Sequence, residues 1–398
     1  MIRPTSRTVG AEATTLPGWL ELQTSRQGFG VALRHKRLGV WQPRTWRDVQ
    51  AEVSGLASGL SAAGFRAGAV LVVLSHPRPE ALLLALAAQW LGGSAALLDP
   101  NDDAAIQARL LAELKPGFLY AEGLEQVERA LAAGVAPALL IYADARGLRA
   151  HPHAALRSYA DLIATSDPRV PARLARAHEP AFVIHRVNGG GGSEVQRLTH
   201  AELLRQGALL VQAERLGADE EAFAARAFAA AGQARYLIAP WLIAGFRLNF
   251  PENLATRDND RRELGPTLVA GTRETYQRLE NLVRERLPAP GSWQRGLVDW
   301  ALAPGACGVQ RLLGYWWVRR PLRDVIGFTR TRAPLLVGAP LPESSSRFFA
   351  ALGIEVRTWP DPAAWQAHDP AARLAGGGWT DFQARQRPIG PDWAREPV

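Results

Sequence analysis

The sequence is short of cysteine and lysine: Cys307 is the single cysteine, and Lys36 and Lys115 are the only lysines among 398 residues. One cysteine excludes an intramolecular disulfide and a cysteine-based metal cluster. The eight histidines show no metal-ligand spacing, and Cys307 has no histidine near it in sequence to activate it as a nucleophile. The first twenty residues lack the apolar core of a secretory signal. We therefore expect a cytoplasmic protein.

The basic residues are almost all arginine, and the formal net charge is +8. The arginines are scattered along the chain, so no nucleic-acid partner is indicated. One segment stands out: RLLGYWWVRR (311–320) places arginines on both sides of Tyr315, Trp316 and Trp317. This composition is typical of a segment that contacts a membrane peripherally. For a cytoplasmic protein, the contact would be with the inner face of the membrane. The alternative is an ordinary amphipathic helix with buried tryptophans.

The longest uncharged run, 81–98, approaches the length of a membrane span. Gln89 and the Gly92-Gly93 pair divide it. The run therefore predicts a buried helix, a glycine break and a short strand.

Short apolar runs alternate with helical patterns along most of the chain, which predicts an α/β fold with a mostly parallel sheet. Thr45 and Asp48 have a capping-box-like spacing at the start of one such helix. We divide the chain into an N-terminal arm, two α/β subdomains and a loop-rich tail, at 1–20, 21–180, 181–358 and 359–398. The expected strands are 69–75, 94–98, 117–121, 137–142, 181–185, 246–250, 267–270, 334–337 and 353–357. The expected helices are 79–92, 104–114, 124–133 and 200–215.

The segment HRVNGGGGSEVQRLTH (185–200) contains four consecutive glycines between a predicted strand and a predicted helix. Glycine-rich loops in this position often bind phosphate through backbone N–H groups. Glu194, however, places a carboxylate where a phosphate loop would have a cation.

Five segments in order resemble the AMP-forming acyl-CoA synthetases of the adenylate-forming superfamily, nearest to the long-chain fatty acyl-CoA ligase branch. They cover roughly residues 20–357. The segments are RHKRLGVWQPRTWRDV (34–49), EGLEQVERAL (122–131), IYADARGLRAH (141–151), ENLATRDNDRRELGPTLVAGTRETYQRL (252–279) and PLRDVIGFTRTRAPLLVGAPLPESSSRFFAALGIEV (321–356). The resemblance implies the two stacked α/β subdomains of that family's large N-terminal domain, with the small catalytic C-terminal domain absent.

The resemblance also implies a nucleotide site, here in degenerate form. It would consist of the glycine loop, Thr199, and the turn that lines the adenine pocket in the family: Asn188, Gly189, Gly190, Gly191, Gly192, Thr199, Gly338, Ala339 and Pro340. Several family positions depart from the pattern. Glu194 replaces the loop lysine, and Ala231 stands where a histidine is expected. TWPDPA follows Arg357 in place of the Thr-Glu motif that holds phosphate and magnesium, leaving Asp361 as the nearest carboxylate.

These departures lead to three hypotheses. The first is a non-catalytic, degenerate relative that binds an acyl chain, acyl-CoA, a nucleotide or a protein partner. The second is a long-chain fatty acid-CoA ligase, which would use ATP, AMP and Mg²⁺. The third is a scaffold subunit paired with an intact, full-length synthetase. We expect His200 to be a structural cap or core residue, and Arg186 to be a cation that could swing in to compensate for the missing lysine.

Overall fold

The computed structural model describes residues 13–164, 171–229, 232–303, 308–361 and 365–368. Residues 1–12 of the predicted arm, most of the predicted tail, Ala231 and Cys307 lie outside the described residues. The helices are α1 (Leu16–Gln27), α2 (Trp46–Ala62), α3 (Pro79–Trp90), α4 (Ala104–Leu114), α5 (Leu124–Ala132), α6 (Tyr159–Ala164), α7 (His200–Ala213), α8 (Ala239–Ala244), α9 (Arg257–Leu264), α10 (Arg273–Arg284), α11 (Trp293–Leu302), α12 (Gly308–Gly314), α13 (Arg320–Val325) and α14 (Glu343–Ala351). Two π-helical turns, Ala234–Ile238 and Tyr315–Arg319, lead into α8 and α13.

The strands form two sheets. They are β1 (Val31–Arg37), β2 (Val40–Thr45), β3 (Val70–Leu74), β4 (Ser94–Leu98), β5 (Phe118–Ala121), β6 (Leu139–Tyr142), β7 (Leu156–Ser158), β8 (Pro180–Val187), β9 (Ser193–Thr199), β10 (Glu221–Phe223), β11 (Arg247–Phe250), β12 (Leu268–Gly271), β13 (Ala333–Val337), β14 (Arg357–Trp359) and β15 (Gln366–Ala367). The first sheet has the order β15-β9-β8-β4-β3-β5-β6-β7, and the second has the order β14-β13-β12-β10-β11-β1-β2. Both are mainly parallel; β9, β15 and the β1–β2 hairpin supply the antiparallel pairs.

The central strands of the sheets are buried on both faces, which explains their continuous apolar runs. In β3, Leu71 and Val73 contact the core between the sheets, whereas Val72 and Leu74 contact a second core under α4 and α5. A third core lies on the outer face of the second sheet, under α10 and α14. The result is a layered α/β protein with two stacked sheets, which confirms the predicted fold class.

The central layer of helices joins the two sheets. The indole rings of Trp46 in α2 and Trp241 in α8 stack at 4.9 Å between centroids, and Trp241 Nε1 donates to the carbonyl of Ala32 in β1 at 3.0 Å. The predicted start of α2 is confirmed, since Thr45 and Asp48 form a complete capping box. This shared core fixes one sheet relative to the other.

The strands do not divide between the two sheets at residue 180, the predicted boundary between the subdomains. Strands β8 and β9 lie after that boundary, yet β8 pairs with β4 of the first sheet, with Leu97 opposite Ile184. Conversely, β1 precedes it and pairs with β11 of the second sheet, with Leu33 opposite Leu248. The sheet to which a strand belongs depends here on pairing between parallel strands that are distant in sequence. Local sequence patterns do not indicate that pairing.

The uncharged run 81–98 and the strand expected at 353–357 have opposite outcomes in the structure. The uncharged run 81–98 forms α3 and β4, in which Ser94–Leu98 is buried throughout, as predicted. No helix in the described ranges has the length and apolar character needed to cross a bilayer. The strand expected at 353–357 is wrong in position, because Gly353 has a positive φ of 74° that ends α14, and β14 begins only at Arg357.

Helices α11 to α13 form a peripheral unit with a small core of its own, made by Val298, Ala301 and Val318. The alternative of an amphipathic helix with buried tryptophans is wrong for this segment, since Trp316 is 51% exposed and Trp317 is 64% exposed.

Candidate functional site

The glycine loop is the turn of the β8–β9 hairpin. Val187 pairs with Ser193 and Arg186 pairs with Glu194 across the two strands, so residues 188–192 form the connection between them. Gly191 takes a φ of 77°, a left-handed conformation that glycine adopts without the strain of a side chain.

Asn188 accepts hydrogen bonds from three backbone N–H groups of this loop. Its Oδ1 accepts from the backbone N–H groups of Gly190 at 3.1 Å and Gly192 at 2.8 Å. The N–H of Gly191 donates to the Asn188 carbonyl at 2.9 Å. The amide oxygen of Asn188 therefore occupies the position in which a phosphate oxygen would accept these hydrogen bonds.

Glu194 is held at the same loop by two partners. Arg186 Nε donates to Glu194 Oε2 at 2.8 Å, and Asn188 Nδ2 donates to Glu194 Oε1 at 3.0 Å. The hydrogen bonds from Asn188 and Arg186 lower the pKa of the Glu194 carboxyl, so the carboxylate form is favoured. The Arg186 guanidinium also lies 3.9 Å from the centroid of the Trp365 ring. Arg186 is thus engaged by an acid and an aromatic ring.

Thr199 and His200 have structural contacts at the start of α7. Thr199 Oγ1 caps the helix by accepting from the N–H of Glu202 at 3.2 Å. His200 is buried, and its Nδ1 accepts from the N–H of Leu16 at 3.2 Å. Burial lowers the pKa of His200 to about 4, so the ring is neutral near pH 7. This geometry agrees with the expected structural role of His200.

The predicted adenine-side residues lie on the second sheet, directly after β13. The N–H of Gly338 donates to the carbonyl of Trp359 at 3.0 Å, and Gly338 has a φ of 91°. Arg273 donates to the carbonyl of Pro340 from Nε at 3.0 Å. Ala339 lies between these two fixed points, so the turn is attached to β14 on one side and to α10 on the other.

A buried arginine that the sequence did not indicate lies in the π-helical turn before α8, where it contacts α7 and the segment that follows β14. Arg235 has 2% of its side chain exposed; its Nη2 contacts Glu202 Oε1 at 3.2 Å, and its Nη1 contacts Asp361 Oδ1 at 3.0 Å. Next to it, Tyr236 Oη donates to the carbonyl of Pro360, and burial raises the pKa of Tyr236 to about 12. Asp361, the carboxylate nearest to the expected magnesium position, is therefore in an ion pair.

Residues 357–368, as far as they are described, bring the two sheets' site segments together. Strand β14 pairs with β13, and β15 pairs with β9, with Ala367 opposite Glu194. Within the described ranges, no cluster of three or more acidic, histidine or cysteine side chains could hold a metal ion.

Solved structures with similar folds are acyl- and aryl-acid ligases at low identity. A protein assigned as a long-chain-fatty-acid CoA ligase from Rhodopseudomonas palustris CGA009 is 18% identical, with a TM-score of 0.60 over 85% of this chain and 72% of its own. A benzoate CoA ligase from Burkholderia xenovorans LB400 is 18% identical, with a TM-score of 0.62 over 87% and 60%. The adenylation domain of a carboxylate reductase from Mycobacterium chelonae is 16% identical, with a TM-score of 0.65 over 87% and 57%. The chain thus spans about three fifths of the length of the last two.

No curated protein sequence matches the chain significantly. The sequence model described as "AMP-binding enzyme" matches residues 21–359. That range includes the described strands from β1 to β14, the glycine loop and the turn at Gly338. The chain therefore belongs to the AMP-binding enzyme family.

Proposed function

We propose that this chain is a non-catalytic member of the AMP-binding family, which acts by binding a ligand or partner rather than by activating an acid with ATP. One observation carries the proposal: the amide of Asn188 and the carboxylate of Glu194 occupy the glycine loop from within.

The residues of the loop do not fit a triphosphate. A phosphate site needs free N–H donors and a cation, because each phosphate oxygen is an anionic acceptor. In this loop two N–H groups already donate to the Asn188 side chain, and Arg186 already pairs with Glu194. A second cation, Arg109, donates to the carbonyl of Gly191 and pairs with Glu113. Binding ATP would break these contacts and place its negative charge next to a carboxylate.

The residues around Asp361 do not fit Mg²⁺ either. Magnesium takes carboxylate oxygens and phosphates with a strict octahedral geometry. Asp361 contacts the cationic Arg235 at 3.0 Å, and the sequence supplies no Thr-Glu pair at this position. A metal ion would have to displace an arginine that has almost no solvent exposure.

For the ligand, we propose an acyl chain or acyl-CoA. A similar fold from Segniliparus rugosus was solved in complex with AMP and a co-purified carboxylic acid, and one named AuaEII with anthranoyl-AMP. We assign the acid rather than the nucleotide to this chain, because Asn188 and Glu194 occupy the loop at which the nucleotide phosphates would bind. A scaffold role beside a full-length synthetase remains compatible with the same closed loop.

The competing hypothesis is a long-chain fatty acid-CoA ligase, and pyrophosphate release distinguishes the two. We expect the purified chain with ATP, Mg²⁺ and palmitate to release no pyrophosphate above a control without palmitate, while an intact AMP-forming ligase does so in parallel. Glu194→Lys should not restore release, because Asp361 is still paired with Arg235. Palmitate-dependent release by the wild-type chain would overturn the proposal.

A further inference from the structure

Exposed apolar side chains are concentrated in the peripheral unit made by α11, α12, the second π-helical turn and α13. Six of the twelve large apolar side chains exposed in the described part of the chain lie between residues 293 and 317, including every strongly exposed tryptophan found there. They are Trp293, Trp300, Val309, Leu312, Trp316 and Trp317. A concentration of exposed apolar side chains of this kind marks an interaction site.

The spacing of these side chains gives the unit two faces. Val309, Leu312 and Trp316 follow one another at three and four residues, which places them on one side of the helix. Val318 lies on the other side, in the small core with Val298 and Ala301. The unit therefore buries small aliphatic groups toward the protein and presents tryptophans to the outside.

The charge of the same segment has one sign. Residues 300–323 contain four arginines and no acidic residue. Arg320 lies over the ring of Trp316 at 4.7 Å, and Arg323 Nε donates to the carbonyl of Phe328 at 3.1 Å. No ion pair involves Arg319, Arg320 or Arg323 in the part of the chain that the structure describes.

A pocket of about 590 Å³ lies between this unit and the residues that follow α14. Arg319 and Arg323 line it together with the apolar side chains of Leu312, Tyr315 and Leu352. Arg319 Nε is buried and has no hydrogen-bond partner among the described atoms. Two guanidinium groups in a partly apolar pocket suit a phosphate diester attached to an acyl chain.

We propose that the α11–α13 unit docks onto an anionic phospholipid surface, with Trp316 and Trp317 at headgroup depth and a lipid phosphate between Arg319 and Arg323. Tryptophan favours the interface between water and hydrocarbon, and arginine favours anionic headgroups. A second copy of this chain fits less well, because a two-fold contact would bring together two copies of a segment whose charged side chains are all basic. The proposal does not depend on the state of the nucleotide loop.

Sedimentation with vesicles tests the proposal. We expect the full chain at about 0.15 M salt to bind phosphatidylcholine vesicles containing one third phosphatidylglycerol, and to bind pure phosphatidylcholine vesicles far more weakly. Arg319→Gln/Arg323→Gln should lower the partition coefficient roughly thirtyfold, since each basic residue near such a surface contributes about a factor of five to ten. Trp316→Ala/Trp317→Ala should lower binding to the same anionic vesicles without changing the melting temperature, since both side chains are exposed.

The controls remove exposed apolar and basic side chains in other parts of the protein. Leu38→Ala removes a strongly exposed apolar group at the β1–β2 turn, and Arg66→Gln/Arg157→Gln removes two exposed arginines that contact only backbone carbonyls. Both controls should bind like the wild-type chain. Equal binding to neutral and anionic vesicles, failure of the wild-type chain to bind, or equal loss in the controls would overturn the proposal.

Discussion

Replacing Arg235 with methionine removes the cation that ties α7 to residues 359–361. Arg235 contacts Glu202 and Asp361, and its burial means that water cannot replace the lost charge at Asp361. Methionine keeps most of the aliphatic volume, so the effect reports on charge rather than on a cavity.

The expected size follows from the exposure of the two acids. Breaking a buried ion pair from one side costs about 3–5 kcal/mol, because the remaining charge is uncompensated. The Asp361 side chain is 11% exposed and the Glu202 side chain is 30% exposed, so Glu202 stays partly hydrated. We therefore expect a loss near the low end, about 3 kcal/mol in the free energy of unfolding.

Urea denaturation measures this loss, and hydrogen exchange locates it. Arg347→Met is the matched control, because Arg347 pairs only with Glu343 on the exposed face of α14 and should change stability by less than about 0.5 kcal/mol. Arg235→Met/Asp361→Leu should recover part of the loss, since the more buried of the two orphan carboxylates is removed and only the partly hydrated Glu202 remains unpaired. The amide of Gly338, which donates to Trp359, should exchange faster in Arg235→Met. Equal stability of Arg235→Met and Arg347→Met would refute the reasoning.

Two further predictions concern packing and pH. Gly59→Ala should destabilise the protein by about 1–3 kcal/mol despite the better helix propensity of alanine, because the added Cβ would lie 2.4 Å from the carbonyl oxygen of Leu162. Gly296→Ala adds a Cβ with no atom within 4 Å, so it should stabilise the protein by about 0.5–1 kcal/mol in the same urea experiment. The pKa of His200 falls from 6.5 to about 4 on folding, so the unfolded chain binds more protons in that window and stability must fall as pH drops through it. His200→Asn, whose Oδ1 can still accept from Leu16, should flatten that slope in denaturation series by up to about 1.4 kcal/mol per pH unit, and an unchanged slope would contradict this origin.

The alternation of strands and helices was predictable because each element carries its own signal. The apolar run at 69–75 and the uncharged run that the Gly92-Gly93 pair divides reflect local burial, and β3 and α3 lie where these patterns place them. The assignment of β8 to the first sheet was not predictable, because it depends on pairing with β4 more than eighty residues away.

The candidate site shows the same limit. The glycine loop was located from its composition, and the conflict posed by Glu194 was visible in the sequence. The hydrogen bonds of Asn188 across the loop depend on the loop's conformation, which composition does not encode. The pair of Arg235 and Asp361 joins residues 126 positions apart, and no local motif marks either of them.

The exposure of Trp316 and Trp317 marks a third kind of limit. Their composition fits either a buried amphipathic helix or an interface, and the choice depends on which side of the helix meets the protein. Val318 meets the small core instead, so the tryptophans face outward.

Calorimetric titration of the purified chain with ATP–Mg²⁺ tests the closed glycine loop most directly, with AMP and a long-chain acyl-CoA titrated in separate experiments. The account predicts no heat of binding for ATP–Mg²⁺, because Asn188 accepts from the N–H groups of the loop and the two nearby cations, Arg186 and Arg109, already pair with Glu194 and Glu113. Binding of acyl-CoA in the same preparation would show that the protein is folded and competent for a ligand. Micromolar binding of ATP–Mg²⁺ would contradict the account and return the chain to the ligases.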